Sequence, residues 1–184
     1  MSACDGRDVV HVCGNVYHGG VVTGDGEVLM MGDNASGQLG TRLRAPQATP
    51  VRLEASGESG MPRVAVLACG QQHSVAITAA GGLMSWGAAE FGQLGHGPAA
   101  GVGVDLLQPR YITGSREMHF VGVACGMGHT LALTGSGHVF SFGQGTFGAL
   151  GHGDHTNRDA PARIDALWWE RGAPGEGWAA PTQT

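Results

Sequence analysis

Residues 125–153 read CGMGHTLALTGSGHVFSFGQGTFGALGHG. Two alternating apolar runs, Thr130–Leu133 and Val139–Phe142, flank the turn Gly135-Ser136-Gly137, and a second glycine-rich segment closes with Gly148-Ala149-Leu150-Gly151. Short apolar runs punctuated by glycine are the pattern of antiparallel strands joined by tight turns. The pattern recurs at residues 69–97, CGQQHSVAITAAGGLMSWGAAEFGQLGHG, and more loosely at 13–40, CGNVYHGGVVTGDGEVLMMGDNASGQLG. Cys13, Cys69 and Cys125 follow one another at intervals of 56 residues, whereas Gly32, Gly87 and Gly143 follow at 55 and 56, which puts one residue of slack inside the first copy. Three copies at one period define a repeat architecture.

Working outward, Val9–Val12 and Val64–Leu67 read as strands ahead of the first two cysteines. Each cysteine-glycine is followed by a hairpin: Val21–Thr23 and Val28–Met31 around Gly24-Asp25-Gly26, then Val75–Thr78 and Leu83–Trp86 around Gly81-Gly82. Asp-Gly between apolar runs is a strong hairpin signal. Alternation makes Val75 and Ile77, Met84 and Trp86, Leu131 and Leu133, and Phe140 and Phe142 the expected inward-facing residues. A loop ending in leucine-glycine follows each hairpin, and Leu39, Leu94 and Leu150 are expected to plug hydrophobic gaps. A short run opened by a proline comes next, at Pro50, Pro109 and Pro161, where the missing N–H suits the start of an edge strand. Four short strands per 56-residue unit is the content of one propeller blade.

The fold expected is therefore all-β, with about three blades of four antiparallel strands. Residues 1–12 are read as a lead-in strand, 13–68, 69–124 and 125–168 as the three repeats, and 169–184 as a loose tail rich in Gly, Pro and Ala. Leu167-Trp168-Trp169 is apolar enough for one more strand or a brief helix.

Composition narrows the function classes. Fifteen acidic residues face ten basic ones, all arginine, and no basic cluster supports nucleic-acid binding by charge. Met1–Arg7 lacks the apolar core of a signal peptide, and no apolar run reaches membrane length, so the expectation is an intracellular protein, cytoplasmic or nuclear, with no membrane partner. Cys13, Cys69 and Cys125 hold the same place in successive repeats and are read as small, buried, reduced thiols in a shared environment. Zinc is the competing reading, through Cys69 with His73 and Cys125 with His129, but pairs a whole repeat apart lack the short ligand grouping of a structural site.

Residues 143–148 spell G-x-G-x-x-G, yet a poor helix former follows and the sibling segments lack the middle glycine, so no cofactor is expected. His73 and His129 recur and are read as structural rings rather than bases; no nucleophile sits at an informative spacing from a histidine and an acid. Asp154 and His155 read as a solvated turn, and Asn34-Ala35-Ser36 as a formal glycosylation sequon.

The residues Cys69-Gly70, His73-Ser74, Gly81, Ser85-Trp86-Gly87 and Gly92–Gly97, with their counterparts Cys125-Gly126, His129-Thr130, Gly137, Ser141-Phe142-Gly143 and Gly148–Gly153, resemble the repeat of the regulator-of-chromosome-condensation family. The resemblance covers about residues 9–164 and implies part of a seven-bladed β-propeller. The first copy departs from it, with Tyr17 at the offset of His73 and His129 and His18 one place later, which predicts an imperfect hairpin. The period and the Gly-Gln-Leu-Gly segments fit kelch and WD40 propellers less well. Three blades also leave exposed faces, which predicts self-association or completion by further repeats.

Two functions follow. One is a non-catalytic protein-interaction scaffold; the other, implied by the resemblance alone, is exchange-factor action on a small GTPase. Neither requires covalent chemistry by a side chain. The loop positions that vary between copies, Asn34, Ala35, Ser36, Glu90, Phe91, Thr146 and Phe147, are the candidate partner contacts.

Overall fold

The computed structural model describes residues 8–54, 60–98 and 103–167. They form three four-stranded antiparallel sheets, one per repeat. The first holds β1 (Val9–Gly14), β2 (His18–Thr23), β3 (Val28–Gly32) and β4 (Gln47–Arg52). The second holds β5 (Val64–Cys69), β6 (His73–Thr78), β7 (Leu83–Gly87) and β8 (Leu106–Tyr111). The third holds β9 (Phe120–Cys125), β10 (His129–Thr134), β11 (Val139–Gly143) and β12 (Arg158–Arg163). Strand order follows sequence order in every sheet, so each is an up-and-down meander. The boundaries drawn at the cysteines fall within the first strand of each sheet, and residues 9–12 belong to the first sheet as part of β1. Trp168, Trp169 and the tail lie outside the described residues; Leu167 ends a single 3-10 turn, Asp165–Leu167.

The turns explain the hairpins. Thr23, Thr78 and Thr134 end the second strands, and each buried hydroxyl accepts the N–H four residues on, from Glu27, Gly82 and His138. Gly26, Gly81 and Gly137 supply the positive φ each turn needs. At the other end, Gly32, Gly87 and Gly143 pair with His18, His73 and His129 at φ values of +110°, +101° and +104°. A Cβ on Gly143 would sit 2.4 Å from the carbonyl oxygen of Gly128. The prolines stand fourth in β4, β8 and β12 rather than first, because these outer strands begin three residues earlier, at Gln47, Leu106 and Arg158. An edge strand tolerates proline in its interior as well as at its start.

Two cores join the three sheets. Val22, Val28, Met30, Leu39 and Leu53 of the first unit pack on Leu67, Ala76, Met84 and Trp86 of the second. Val75, Ile77, Leu83 and Ile112 of the second pack on Phe120, Ala132 and Phe142 of the third. Phe120 and Phe140 meet edge-on at 5.8 Å between ring centroids. The central blade is thus buried on both faces, and every residue of β6 and β7 is inaccessible.

That arrangement corrects one expectation. Leu131 and Leu133 do not face a core; Leu133 is 40 % exposed and the buried residues of β10 are Thr130, Ala132 and Thr134. Leu131 and Leu133 hold the register of Val75 and Ile77, but no described blade covers that side of the third sheet. Val10 and Val12 are likewise exposed on the first sheet.

Candidate interaction surface

Each joint between blades is held by a relay of polar groups. The Ser74 hydroxyl donates to the carbonyl of Gln38 at 2.8 Å, so the His18 ring, 2.9 Å away, must donate its Nε2–H to Ser74. At the second joint Thr130 donates to the Gln93 carbonyl at 3.0 Å and accepts from His73 Nε2 at 3.1 Å. Trp86 Nε1 adds a second donor to Gln38 at 2.8 Å. Burial holds His18 neutral, with its pKa lowered to about 4, and the fully enclosed His73 to about 3. With the proton on Nε2, the neutral His18 ring leaves Nδ1 to accept from Asn15 Nδ2 at 3.4 Å, and burial outweighs the opposing pull of Asp33.

His18 therefore does the work of His73, and the hairpin of the first copy is regular. The ladders show why. Gly14 pairs with Gly19 where Cys69 pairs with Ser74 and Cys125 with Thr130, and Val9, Val64 and Phe120 pair with Thr23, Thr78 and Thr134. In space Gly14 is the counterpart of Cys69 and Cys125; Cys13 stands one rung back, the counterpart of Ala68. The shared-environment reading of the cysteines is corrected accordingly, and all three are half-buried rather than enclosed. Cys13 Sγ lies 2.6 Å from Cys69 Sγ across the first joint.

Ser85 with His96 and Ser141 with His152 form two further serine–histidine pairs, at 2.9 and 2.8 Å. They look like nucleophile and base, but both serines are fully buried and donate to the carbonyls of Leu94 and Leu150. The histidines donate to them, which ties down the loops of the second and third copies; their leucines Leu94 and Leu150 are buried, as is Leu39 in the first copy. No substrate could reach either oxygen. Among the described residues no three His, Cys, Asp or Glu side chains come together to hold a metal, and no helix is long and apolar enough to cross a membrane. Gly143–Gly148 runs into a single 3-10 turn, Thr146–Gly148, interrupted by Phe147 at φ +62°. Asp154 is half-buried and takes both Nη groups of Arg158 and the N–H and hydroxyl of Thr156, which hold its carboxyl below the usual range.

Because His18, His73 and His129 pair with Gly32, Gly87 and Gly143, the turns between first and second strands and the loops after the third strands share one end of the blades. The candidate contacts all lie there. Ala35, Glu90, Thr146 and Phe147 are exposed, Phe147 to 93 %, while Ser36 and Phe91 are half-buried. Asn34 is withdrawn, a correction with a clear cause. Its Nδ2 donates to Thr41 Oγ1 and to the carbonyls of Leu43 and Ala45, and its Oδ1 accepts from Leu39 N–H. A buried amide so engaged serves neither a partner nor a glycan.

Apolar residues that no repeat pattern singles out gather at the same end. Val16, 92 % exposed, Tyr17 and Met127 project from the first turns of the outer two blades. With Asn15 and Gln71 they line a groove of about 360 Å3, and Cys69 and Cys125 stand in its wall. The one sequence signal for them was the extra residue in Cys13–His18.

Comparison with known proteins agrees with this architecture. The Regulator of chromosome condensation (RCC1) repeat matches residues 25–77, 80–133 and 136–168. Human E3 ubiquitin-protein ligase HERC2 is 35 % identical over 150 residues, 82 % of this chain and 3 % of that protein. The Arabidopsis thaliana Ultraviolet-B receptor UVR8 is 34 % identical over 155 residues, 84 % of this chain and 33 % of that one. The chain thus spans a third or less of these relatives. Human WBSCR16 superposes with a TM-score of 0.76 at 29 % identity, over 89 % of this chain and 39 % of that one. Prp20p of Saccharomyces cerevisiae, described with its binding to Gsp1p and histones, superposes at 0.75 and 24 % identity, over 86 % of this chain and 38 % of that one. The likeness supports a protein-interaction or regulatory module built as an incomplete propeller. On its sequence, its register and these matches, the chain belongs to the RCC1-repeat family.

Proposed function

We propose that this chain is a protein-interaction module with no catalytic chemistry of its own, binding through the blade end that carries Val16, Tyr17, Met127 and Phe147. The observation that supports this reading is a division of labour. The recurring polar groups, His18, His73, Ser74, Thr130, Ser85 and Ser141, are spent on joints and loops inside the blades. Three exposed apolar groups at positions that differ between the copies, Val16, Tyr17 and Met127, sit around one groove. Apolar surface rimmed by polar loops is what protein partners bury. Ala35, Ser36, Glu90, Phe91 and Thr146 would form the rim.

The test is a binding measurement with a partner first captured by the full chain and then purified. Val16→Glu combined with Met127→Glu should weaken binding at least about tenfold, since a charge would be buried at the contact. Leu133→Glu, on the open face of the third blade, should bind as the unaltered chain does. Unchanged affinity for the double variant would reject the reading. Exchange-factor action rests on fold likeness alone. Nucleotide release from purified small GTPases, unchanged at high chain concentration, would remove it.

A further inference from the structure

The first joint differs from the second in one chemical respect. Strand residues alternate between faces, so a slip of one rung turns a side chain to the opposite side of its sheet. Cys69 packs back toward the first blade and Cys125 back toward the second, each into the core it faces. Cys13, displaced by one rung, points forward into the first of those cores. It therefore meets Cys69 head-on, whereas the residue in its place at the second joint is Ala68. The extra residue in Cys13–His18 thus assembles a dithiol across one joint only.

We infer that Cys13 and Cys69 form an oxidisable pair that hydrogen peroxide converts to a disulfide joining the first blade to the second. The two sulfurs are 2.6 Å apart, inside van der Waals contact, on strands that already pack together, so bond formation needs a movement of about half an ångström. Cys69 stands in the wall of the open groove and Cys13 is half-buried, which gives a small oxidant access. The hydrogen bond between the two thiols favours a thiolate within the pair, drawing the Cys13 pKa down.

The thiolate of either cysteine displaces one peroxide oxygen, breaking the O–O bond, and the departing oxygen leaves as water after taking a proton, giving that cysteine's sulfenic acid. The other thiol attacks that sulfur; the S–S bond forms, the S–O bond breaks, and a second water leaves with its proton. Two thiols and one peroxide thus yield one disulfide and two waters. The product ties the groove's Cys69 wall covalently to the first blade. The inference rests on register and stands apart from the binding reading.

Trypsin separates the four cysteines, since Cys4, Cys13, Cys69 and Cys125 fall in peptides 1–7, 8–42, 64–110 and 117–158. The full reduced chain is treated with hydrogen peroxide in native buffer, blocked with N-ethylmaleimide, and mapped without reduction. The expected result is an intact mass lower by about 2 Da before blocking and peptides 8–42 and 64–110 joined, reversed by dithiothreitol. Cys13→Ser and Cys69→Ser should each abolish the linked pair, and Cys125→Ser should retain it. No linkage in the unaltered chain, linkage to 1–7 or 117–158 instead, or oxidation that stops at a single sulfur would each overturn the inference.

Discussion

His73 Nε2 stands 3.1 Å from Thr130 Oγ1, so that a ring carried by one blade finds its hydrogen-bond partner only on the next. Thr130 passes the interaction on to the Gln93 carbonyl, back on the blade that holds His73. Removing that hydroxyl strands a buried N–H and a buried carbonyl together. Thr130→Val should therefore lower the stability of the chain by about 1–3 kcal/mol in urea unfolding, despite its near-equal volume. A loss below a few tenths would show that the relay carries no energy.

Acid should unlock the same joints. His18 and His73 remain neutral in the folded chain down to about pH 4 and about pH 3, but in the unfolded chain each takes up a proton near 6.5. The unfolded state thus binds more protons through this window, and stability must fall as pH drops. It should be complete above pH 6.5, decline between 6.5 and the folded values, and level off beneath them. Urea midpoints measured across that range should show the decline, and His73→Gln should make it shallower, with His18 and the likewise depressed His96 keeping the rest.

Two glycines that both hold a positive φ should differ in cost. Gly143→Ala forces a Cβ to 2.4 Å from the Gly128 oxygen at φ +104°, and Gly153→Ala meets nothing within 4 Å at φ +78°. The second substitution should cost only the left-handed penalty of about 1 kcal/mol, and the first distinctly more. Thermal unfolding of the two variants decides it. Equal shifts would refute the close approach.

Ile77 and Leu133 occupy one register position in neighbouring blades but not one environment. Ile77→Ala should cost about 2–5 kcal/mol, as befits a residue in a closed core. Leu133→Ala, on the uncovered side, should cost less than about 1 kcal/mol. Were the two losses alike, the third blade's outer face would have to be covered in solution.

The hairpins, the leucine-glycine loops and the propeller class were legible because they repeat, and a repeat reports local geometry directly. What escaped reading depended on neighbours. Leu131 and Leu133 carry the right alternation, but alternation names two faces without saying which is covered. Cys13 was matched to Cys69 by residue identity, whereas pairing matches it to Ala68; hydrogen-bond ladders count from Val9 and Thr23, and a cysteine has no vote in that count. Asn34 reads as a polar loop residue until Thr41, Leu43 and Ala45 fold around it. The groove brings together Val16 and Met127 from the first and third copies, and no window of sequence contains both.

The outer strands carry a last consequence. Pro50, Pro109 and Pro161 occupy the same rung of β4, β8 and β12, so every blade rim lacks a donor at one height. A foreign strand seeking to lengthen any sheet sideways would find its ladder interrupted there. Growth is thereby refused outward and left open along the stacking direction, where Val12 at one extremity and Leu133 at the other remain uncovered.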